Sequence, residues 1–169
     1  AGLLPLQKTS FLDEDSISRL EKLIETILHA DGIKHLFLLK ETDVEVKIKL
    51  PKQVIILDRP EHLSDLDVSF VEVLQWALCE IEQQSIFPEY LIFATNDYVF
   101  RPEGIFGTLV EQACYNGYDS LFFAYADYSN LWRFNEDKNT YEQLDANFSP
   151  RHMKNPFVKP LYGQGCILR

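Results

Sequence analysis

YLIFATNDYVFRPEGI, residues 90–105, decides how this chain is read. Five apolar residues, Tyr90, Leu91, Ile92, Phe93 and Ala94, stop abruptly at Thr95-Asn96-Asp97, and Arg101-Pro102-Glu103 then opens a helical pattern. A short, continuous apolar run bounded by turn residues reads as a strand covered on both faces, the environment of a parallel sheet between helices. In open α/β sheets, ligands bind beyond the carboxyl ends of such strands. Thr95, Asn96 and Asp97 therefore place a hydroxyl, an amide and a carboxylate where a nucleotide, sugar or metal would be met. The same residues also suit a plain strand-to-helix turn, because Asn and Asp are common turn and cap residues.

Working outward, the flanking segments repeat the alternation. A polar lead containing Pro5, Lys8 and Thr9 precedes a helix expected from Asp15 or Ser16, with Ser18 and Glu21 at capping-box spacing. Leu20, Leu23, Ile24, Ile27 and Leu28 fall on one face of it, and Gly32 supplies the stop. Residues 33–39 (IKHLFLL) and 54–57 (VIIL) read as buried strands, the second ending at Asp58-Arg59-Pro60. Leu63-Ser64-Asp65 leads into a helix with Val68, Val71, Leu74, Leu78 and Ile81 expected to face inward. After the strand at 90–94, a helix from about Pro102 buries Ile105, Leu109, Val110 and Ala113 and ends at Asn116-Gly117. Residues 121–125 (LFFAY) form the next strand. This order predicts an α/β three-layer sandwich around a mostly parallel central sheet. Between residues 126 and 160 the helical period disappears, and Trp132, Phe134, Tyr141 and Phe148 stand among Asn, Asp and Lys. Short antiparallel ribbons projecting from the sheet are expected there.

The 169 residues suffice for one compact domain with a core. Nearly half are apolar, including 12 Phe and 8 Tyr, which excludes a disordered chain. A formal charge of −10 with no basic cluster argues against a nucleic-acid surface. No apolar run reaches membrane-spanning length and no signal peptide is visible, so a cytoplasmic protein is expected. Cys79, Cys114 and Cys166 have neither metal-ligand spacing nor a disulfide framework. Two of them lie inside apolar helical patterns, so buried free thiols in a reducing compartment are expected. His29, His35, His62 and His152 share no metal spacing, and His29 in a helix's last turn suits the helix dipole. The chain opens at Ala1-Gly2 without Met and stops within a strand-like pattern at residues 165–169, so it is expected to be part of a longer polypeptide, incomplete at both ends.

Taken in order, the segments resemble the acylneuraminate cytidylyltransferases, which make CMP-activated sialic acids and related nine-carbon sugars, and at one point the related CMP-Kdo synthetases. Asp58-Arg59-Pro60-Glu61-His62-Leu63, followed by Ser64-Asp65, looks like that family's R-P-x-x-L and the turn after it. Ala94-Thr95-Asn96 falls where the family carries Gln-x-Thr-Ser-Pro, and Asn96-Asp97 resembles the Gly-Asp whose carboxylate binds magnesium in CMP-Kdo synthetases. Asn116-Gly117-Tyr118-Asp119-Ser120 matches G-y-D-S, and Leu161-Tyr162-Gly163-Gln164-Gly165 resembles the v-Y-x-x-N-G of the sugar pocket. Pro150-Arg151-His152-Met153 stands at the family's Arg-x-Gln substrate motif. The departures are specific. The Gln of Gln-x-Thr-Ser-Pro is Phe93, its Pro is lost, Met153 replaces the Gln after Arg151, and Gln164 replaces the pocket Asn. Of the opening strand and Gly-rich phosphate loop only fragments match, with Lys8 at the loop's second lysine, and the family's C-terminal Asp-x-Asp metal motif is expected to lie beyond residue 169.

The resemblance implies a nucleotide-diphospho-sugar transferase fold of the glycosyltransferase-A type, one cytidylyltransferase domain over residues 1–169, and a homodimer made through a β-rich arm at 126–160. It implies CTP and an acidic sugar as substrates and Mg2+ as cofactor. Lys8 and Arg59 would neutralise phosphate charge, while Arg59, Thr95 and Asn96 would hold the nucleotide. Asp97 would hold the metal, and Arg151, Tyr162 and Gln164 the sugar. Each has a plainer alternative. Arg59 has ion-pair candidates in Asp58 and Glu61. Asp97 can cap a turn, Lys8 can be solvated in a loose terminus, Arg151 can be exposed, and Tyr162 can be core. A non-catalytic relative that keeps the sheet and arm but has lost phosphate handling, or another nucleotide-sugar transferase on the same fold, is the competing reading.

Overall fold

The computed structural model describes residues 1–6, 14–46, 48–65, 67–98, 100–144 and 150–169. It divides into two compact units, one of residues 1–123 with 162–169 and one of residues 124–161.

The first unit is a three-layer α/β sandwich. Its strands are β1 (Gly2–Pro5), β2 (Leu36–Glu41), β3 (Val54–Arg59), β4 (Leu91–Phe93), β5 (Ser120–Phe122) and a late strand, Cys166–Leu168, in the order β3-β2-β1-β4, the late strand, then β5. The β3-β2-β1-β4 pairs are parallel, and the late strand runs antiparallel to both β4 and β5. Period-two alternation sends successive residues to opposite faces. Leu4, Leu36, Leu38, Ile92 and Ile167 pack with helices α1 (Glu14–Leu28) and α3 (Ile105–Asn116) on one side. Leu3, Phe37, Leu39 and Leu57 pack with α2 (Phe70–Gln83) on the other. Leu20, Leu23, Ile24 and Ile27 of α1 are buried, as their spacing predicts, and Glu14 and Asp15 place acidic charge at the positive end of that helix. None of the described helices is long and apolar enough to cross a membrane.

Several expectations are corrected. The lead containing Pro5 is not a polar approach to the first helix. Residues 2–5 form β1, a central strand flanked by β2 and β4, with Leu3, Leu4 and Leu6 almost fully buried. Ser18 lies inside α1, which already runs from Glu14, so it caps nothing. On α2 the buried line is Val73, Ala77 and Ile81, whereas Val71 is 58% exposed. Ser69 caps that helix by accepting from the Val71 backbone N–H at 3.2 Å, which turns Val71 outward in the first turn. Helix α3 begins at Ile105 behind Gly104 at φ 71°, leaving Pro102 in the turn before it. The run at 121–125 is split: β5 ends at Phe122 in the main sheet, and β6 (Ala124–Asp127) belongs to a separate ribbon. Cys79 and Cys114 are exposed, and only Cys166 is buried.

The second unit holds two antiparallel ribbons. In one, β6 pairs with β9 (Phe157–Pro160); in the other, β7 (Trp132–Asn135) pairs with β8 (Thr140–Gln143). The late strand of the first unit is accordingly β10. Phe134 and Tyr141 are cross-strand partners with ring centroids 5.2 Å apart, yet Tyr125, Trp132, Phe134 and Tyr141 are each between 44% and 66% exposed. Phe148 lies outside the described residues.

Candidate functional site

The strand order contains a topological switch. From β1 the chain builds β2 and β3 to one side, then returns to place β4 on the other. Connections diverge there and leave a crevice at the carboxyl ends of β1 and β4. That crevice is a cleft of about 190 Å3 lined by Pro5, Leu6, Arg59, Phe70, Phe93, Thr95, Asn96 and Asp97.

Each wall has a local cause. Leu6 is tied down by its N–H donating to Leu39 O at 2.8 Å, which continues the β1–β2 ladder past Pro5. Phe70 opens α2 and packs on Phe93 with centroids 4.3 Å apart and ring planes at 52°, a tilted aromatic contact. Arg59 ends β3 in register with Glu41 of β2, just as Asp58 stands opposite Lys40. Both cross-strand pairs are ionic. Lys40 pairs with Asp58, and Arg59 Nη2 donates to Glu41 Oε1 at 3.1 Å with side chains only 14% and 19% exposed. The partner expected for Arg59 was Asp58 or Glu61; parallel register gives it Glu41 instead.

Thr95 N–H donates to Gly163 O at 2.8 Å, so the segment after β4 is stitched to the turn before β10. Asn96 Nδ2 donates to Ser16 O at 3.4 Å, linking that segment to the start of α1, and Asp97 is exposed. Two polar atoms of this cleft's lining residues, Arg59 Nε and Thr95 Oγ1, are buried and have no hydrogen-bond partner among the described residues. A buried polar atom left unpaired costs about 1–3 kcal/mol; Thr95 Oγ1 faces the Gly163 turn, where a Cβ on that glycine would crowd it, and neither atom opens to the cleft.

Arg59, Thr95, Asn96 and Asp97 thus come together as the sequence suggested. Tyr162 and Gln164 do not line this cleft. They lie on the far side of Thr95, in the turn before β10, where Tyr162 is half-exposed against Phe122 at a centroid distance of 5.0 Å. Gln164 is partly buried and its carbonyl accepts from Arg101 Nε at 3.1 Å. Arg151 opens a short 3-10 turn in the second unit and its side chain lies outside what is described, as does Lys8 altogether. Two contributors escaped the sequence reading. Phe70 sits at a helix's first position, where no period marks it. Arg101 sits in the Arg-Pro-Glu that reads simply as a helix opening, and burial pushes its guanidinium down to about 10, with Asp97 and Tyr98 opposing that shift. It remains cationic at neutral pH.

Asp97 is the one carboxylate among the described residues lining the cleft, and Thr95 and Asn96 precede it there. No group of three or more His, Cys, Asp or Glu is placed to hold a metal among the described residues. That donor set fits magnesium held chiefly by a nucleotide's phosphates, since the ion commonly takes one or two protein carboxylates plus phosphate oxygens.

No protein-family model and no curated protein matches the chain by sequence. Solved structures do resemble it. A 4-diphosphocytidyl-2C-methyl-D-erythritol synthase matches with TM-score 0.64 at 13% identity, over 96% of this chain and 74% of that one. A CMP:2-keto-3-deoxy-manno-octonic acid synthetase complexed with CTP matches with TM-score 0.60 at 10% identity, over 100% of this chain and 73% of that one. At such identities the likeness shows the fold alone, and the chain has the fold of these two structures.

Proposed function

We propose that this chain is a cytidylyltransferase that transfers CMP from CTP to a sialic-acid-like or related nonulosonic sugar and releases pyrophosphate. The observation that carries the reading is the cleft at the switch point, lined together by Arg59, Thr95, Asn96 and Asp97. Support comes from the shared fold, since one of the similar structures is a complex with CTP. In the reaction, the sugar's anomeric oxygen attacks the α-phosphorus in line. The bond from that phosphorus to the bridging oxygen breaks, pyrophosphate leaves with its electron pair, and the hydroxyl proton passes to solvent. The protein's part is positioning and charge.

Arg59 would meet phosphate or base, Thr95 and Asn96 the rest of the nucleotide, and Phe70 with Phe93 would supply an apolar wall. Bound magnesium would neutralise phosphate charge, with Asp97 the carboxylate that holds it. The phosphate role of Lys8 and the sugar roles of Arg151, Tyr162 and Gln164 rest on the resemblance alone. A reaction drawing on CTP also fits the cytoplasmic setting expected from the sequence. The exposed aromatic residues of the 124–161 unit support self-association of two copies, because apolar patches of that kind mark interfaces.

A second reading is favoured by one observation. Arg59 is the single basic side chain among the described residues lining the cleft, and it is already committed to Glu41. A triphosphate calls for more positive charge than that, so a non-catalytic binding protein on the same fold is the competitor. Titration calorimetry of the full-length protein with CTP, with and without magnesium, separates them. Arg59→Ala is expected to weaken binding by about 1.5–3 kcal/mol, the scale of a hydrogen bond to a charged group. Asp97→Asn is expected to weaken the magnesium dependence specifically, because the amide keeps the side-chain shape and removes the charge. Absence of CTP binding sinks the nucleotide reading. Binding without pyrophosphate release across a panel of acidic sugars favours the non-catalytic protein.

A further inference from the structure

Behind the segment that carries Thr95, Asn96 and Asp97 lies a guanidinium with no ion pair among the described residues. Arg101 spends it on backbone carbonyls. Its Nη2 donates to Thr95 O and to Gly163 O (2.9 Å), its Nη1 to Tyr98 O, and its Nε to Gln164 O (3.1 Å). The guanidinium carbon stands 5.8 Å from the centroid of the Tyr98 ring, within cation–π range. Two of the four acceptors belong to the segment after β4 and two to the turn before β10. These stretches are more than 60 residues apart in sequence, at separations of 62 and 63 from Arg101 for the second pair.

Four carbonyl dipoles converging on one point repel one another unless a cation stands between them. Only Arg meets this demand well. Its planar fork carries five donors spread over three nitrogens, whereas Lys offers three donors from one point. The cost of the arrangement is burial of the charge, met by the four carbonyl acceptors and by the neighbouring Asp97 carboxylate.

We propose that Arg101 is a positioning residue for the cleft: by clamping residues 95–98 to the 163–164 turn, it sets where Asn96 and Asp97 stand, and so governs ligand affinity without itself lining the cleft. This rests on the cleft's being the nucleotide site proposed above. Thr95 lies in both networks. Its carbonyl is held by Arg101 and its N–H by Gly163, while its hydroxyl is left unpaired. Loss of the clamp frees the backbone that carries Asn96 and Asp97.

The test compares Arg101→Met and Arg101→Lys with the wild type in two measurements. In amide hydrogen exchange, the Thr95 N–H, which reports the 95–163 seam, is expected to exchange at least about 10-fold faster in Arg101→Met, the change that follows from losing one interaction worth about 1.4 kcal/mol. The Leu36 N–H, bonded to Gln53 O at 3.0 Å in the sheet, serves as the internal reference and is expected to stay protected. In calorimetry, CTP affinity is expected to fall about 10–100-fold in Arg101→Met and less in Arg101→Lys, the range for hydrogen bonds to a charged group. Millimolar methylguanidinium added to Arg101→Ala is expected to restore part of it. Lower stability with unchanged CTP affinity, or unchanged exchange at Thr95, overturns the proposal. If Arg101→Met also exposes Leu36, the comparison passes to Arg101→Lys, which keeps the buried cation. If the wild type binds no CTP, the nucleotide reading fails alone, and exchange at Thr95 still decides whether Arg101 holds the seam.

Discussion

Replacing Gly163 by Ala tests the closeness of the seam between the β4 end and the β10 turn. A Cβ built on Gly163 stands 2.4 Å from Thr95 Oγ1 and 2.7 Å from Tyr98 Cε2. Optimal non-bonded separations begin at about 3.5 Å, so the new methyl falls short of its space by about an ångström on the Thr95 side. The neighbours have little freedom to yield. Thr95 is held by its N–H on Gly163 O and by Arg101 on its carbonyl, and the Tyr98 ring is close to both Gly163 and the Arg101 cation. Overpacking of this kind costs about 1–3 kcal/mol. For a chain of this size each kcal/mol lowers Tm by about 2–4 °C. The assay is urea unfolding of wild type, Gly163→Ala, Thr95→Ala and the double variant, with m required to stay constant. Thr95→Ala alone is expected to be nearly neutral or stabilising without ligand, because it removes a buried hydroxyl that has no partner. In the double variant the nearer clash disappears, so a coupling of about 1 kcal/mol between the two sites is expected. Gly163→Ala within about 0.5 kcal/mol of wild type, or strict additivity in the double variant, refutes the close approach on which the seam depends.

Three further outcomes are expected. Burial raises the Cys166 thiol above its ordinary range, so native protein should label rapidly at Cys79 and Cys114 with a thiol reagent and at Cys166 only after unfolding; equal rates at all three would contradict the placement of β10. Because the folded state disfavours the Cys166 thiolate, the unfolded chain gives up that proton first, and its contribution to stability declines as pH rises through the range where ordinary thiols ionise. Self-association through the 124–161 unit is checked by sedimentation at tens of micromolar, roughly the regime of weak assemblies, with Trp132→Ser and Tyr141→Ser expected to shift the protein to monomer; a wild type that sediments as a monomer removes the dimer.

Elements whose burial has one side and a regular period are legible from the residues alone. Leu20, Leu23, Ile24 and Ile27 mark one face of α1, and the apolar run at 90–94 with its abrupt polar stop marks β4 and the loop after it. From these the layered α/β order and the general place of the cleft follow. What period could not convey is which segments become neighbours. Residues 2–5 are too short to show alternation and end in Pro5, so only pairing with β2 and β4 makes them the central strand. Val71 and Val73 are equally apolar, and the Ser69 cap decides which of them faces the sheet. The run at 121–125 is continuous in sequence but divides where one half pairs with β10 and the other with β9. The site follows the same division. Thr95, Asn96 and Asp97 are contiguous and were legible, whereas Arg59's partner lies 18 residues away and two of Arg101's four acceptors lie more than 60 away. Local patterns encode how a segment hides its apolar face, but the partner of a buried charge is chosen by sheet register and chain crossing, and these exist only once the whole fold has closed.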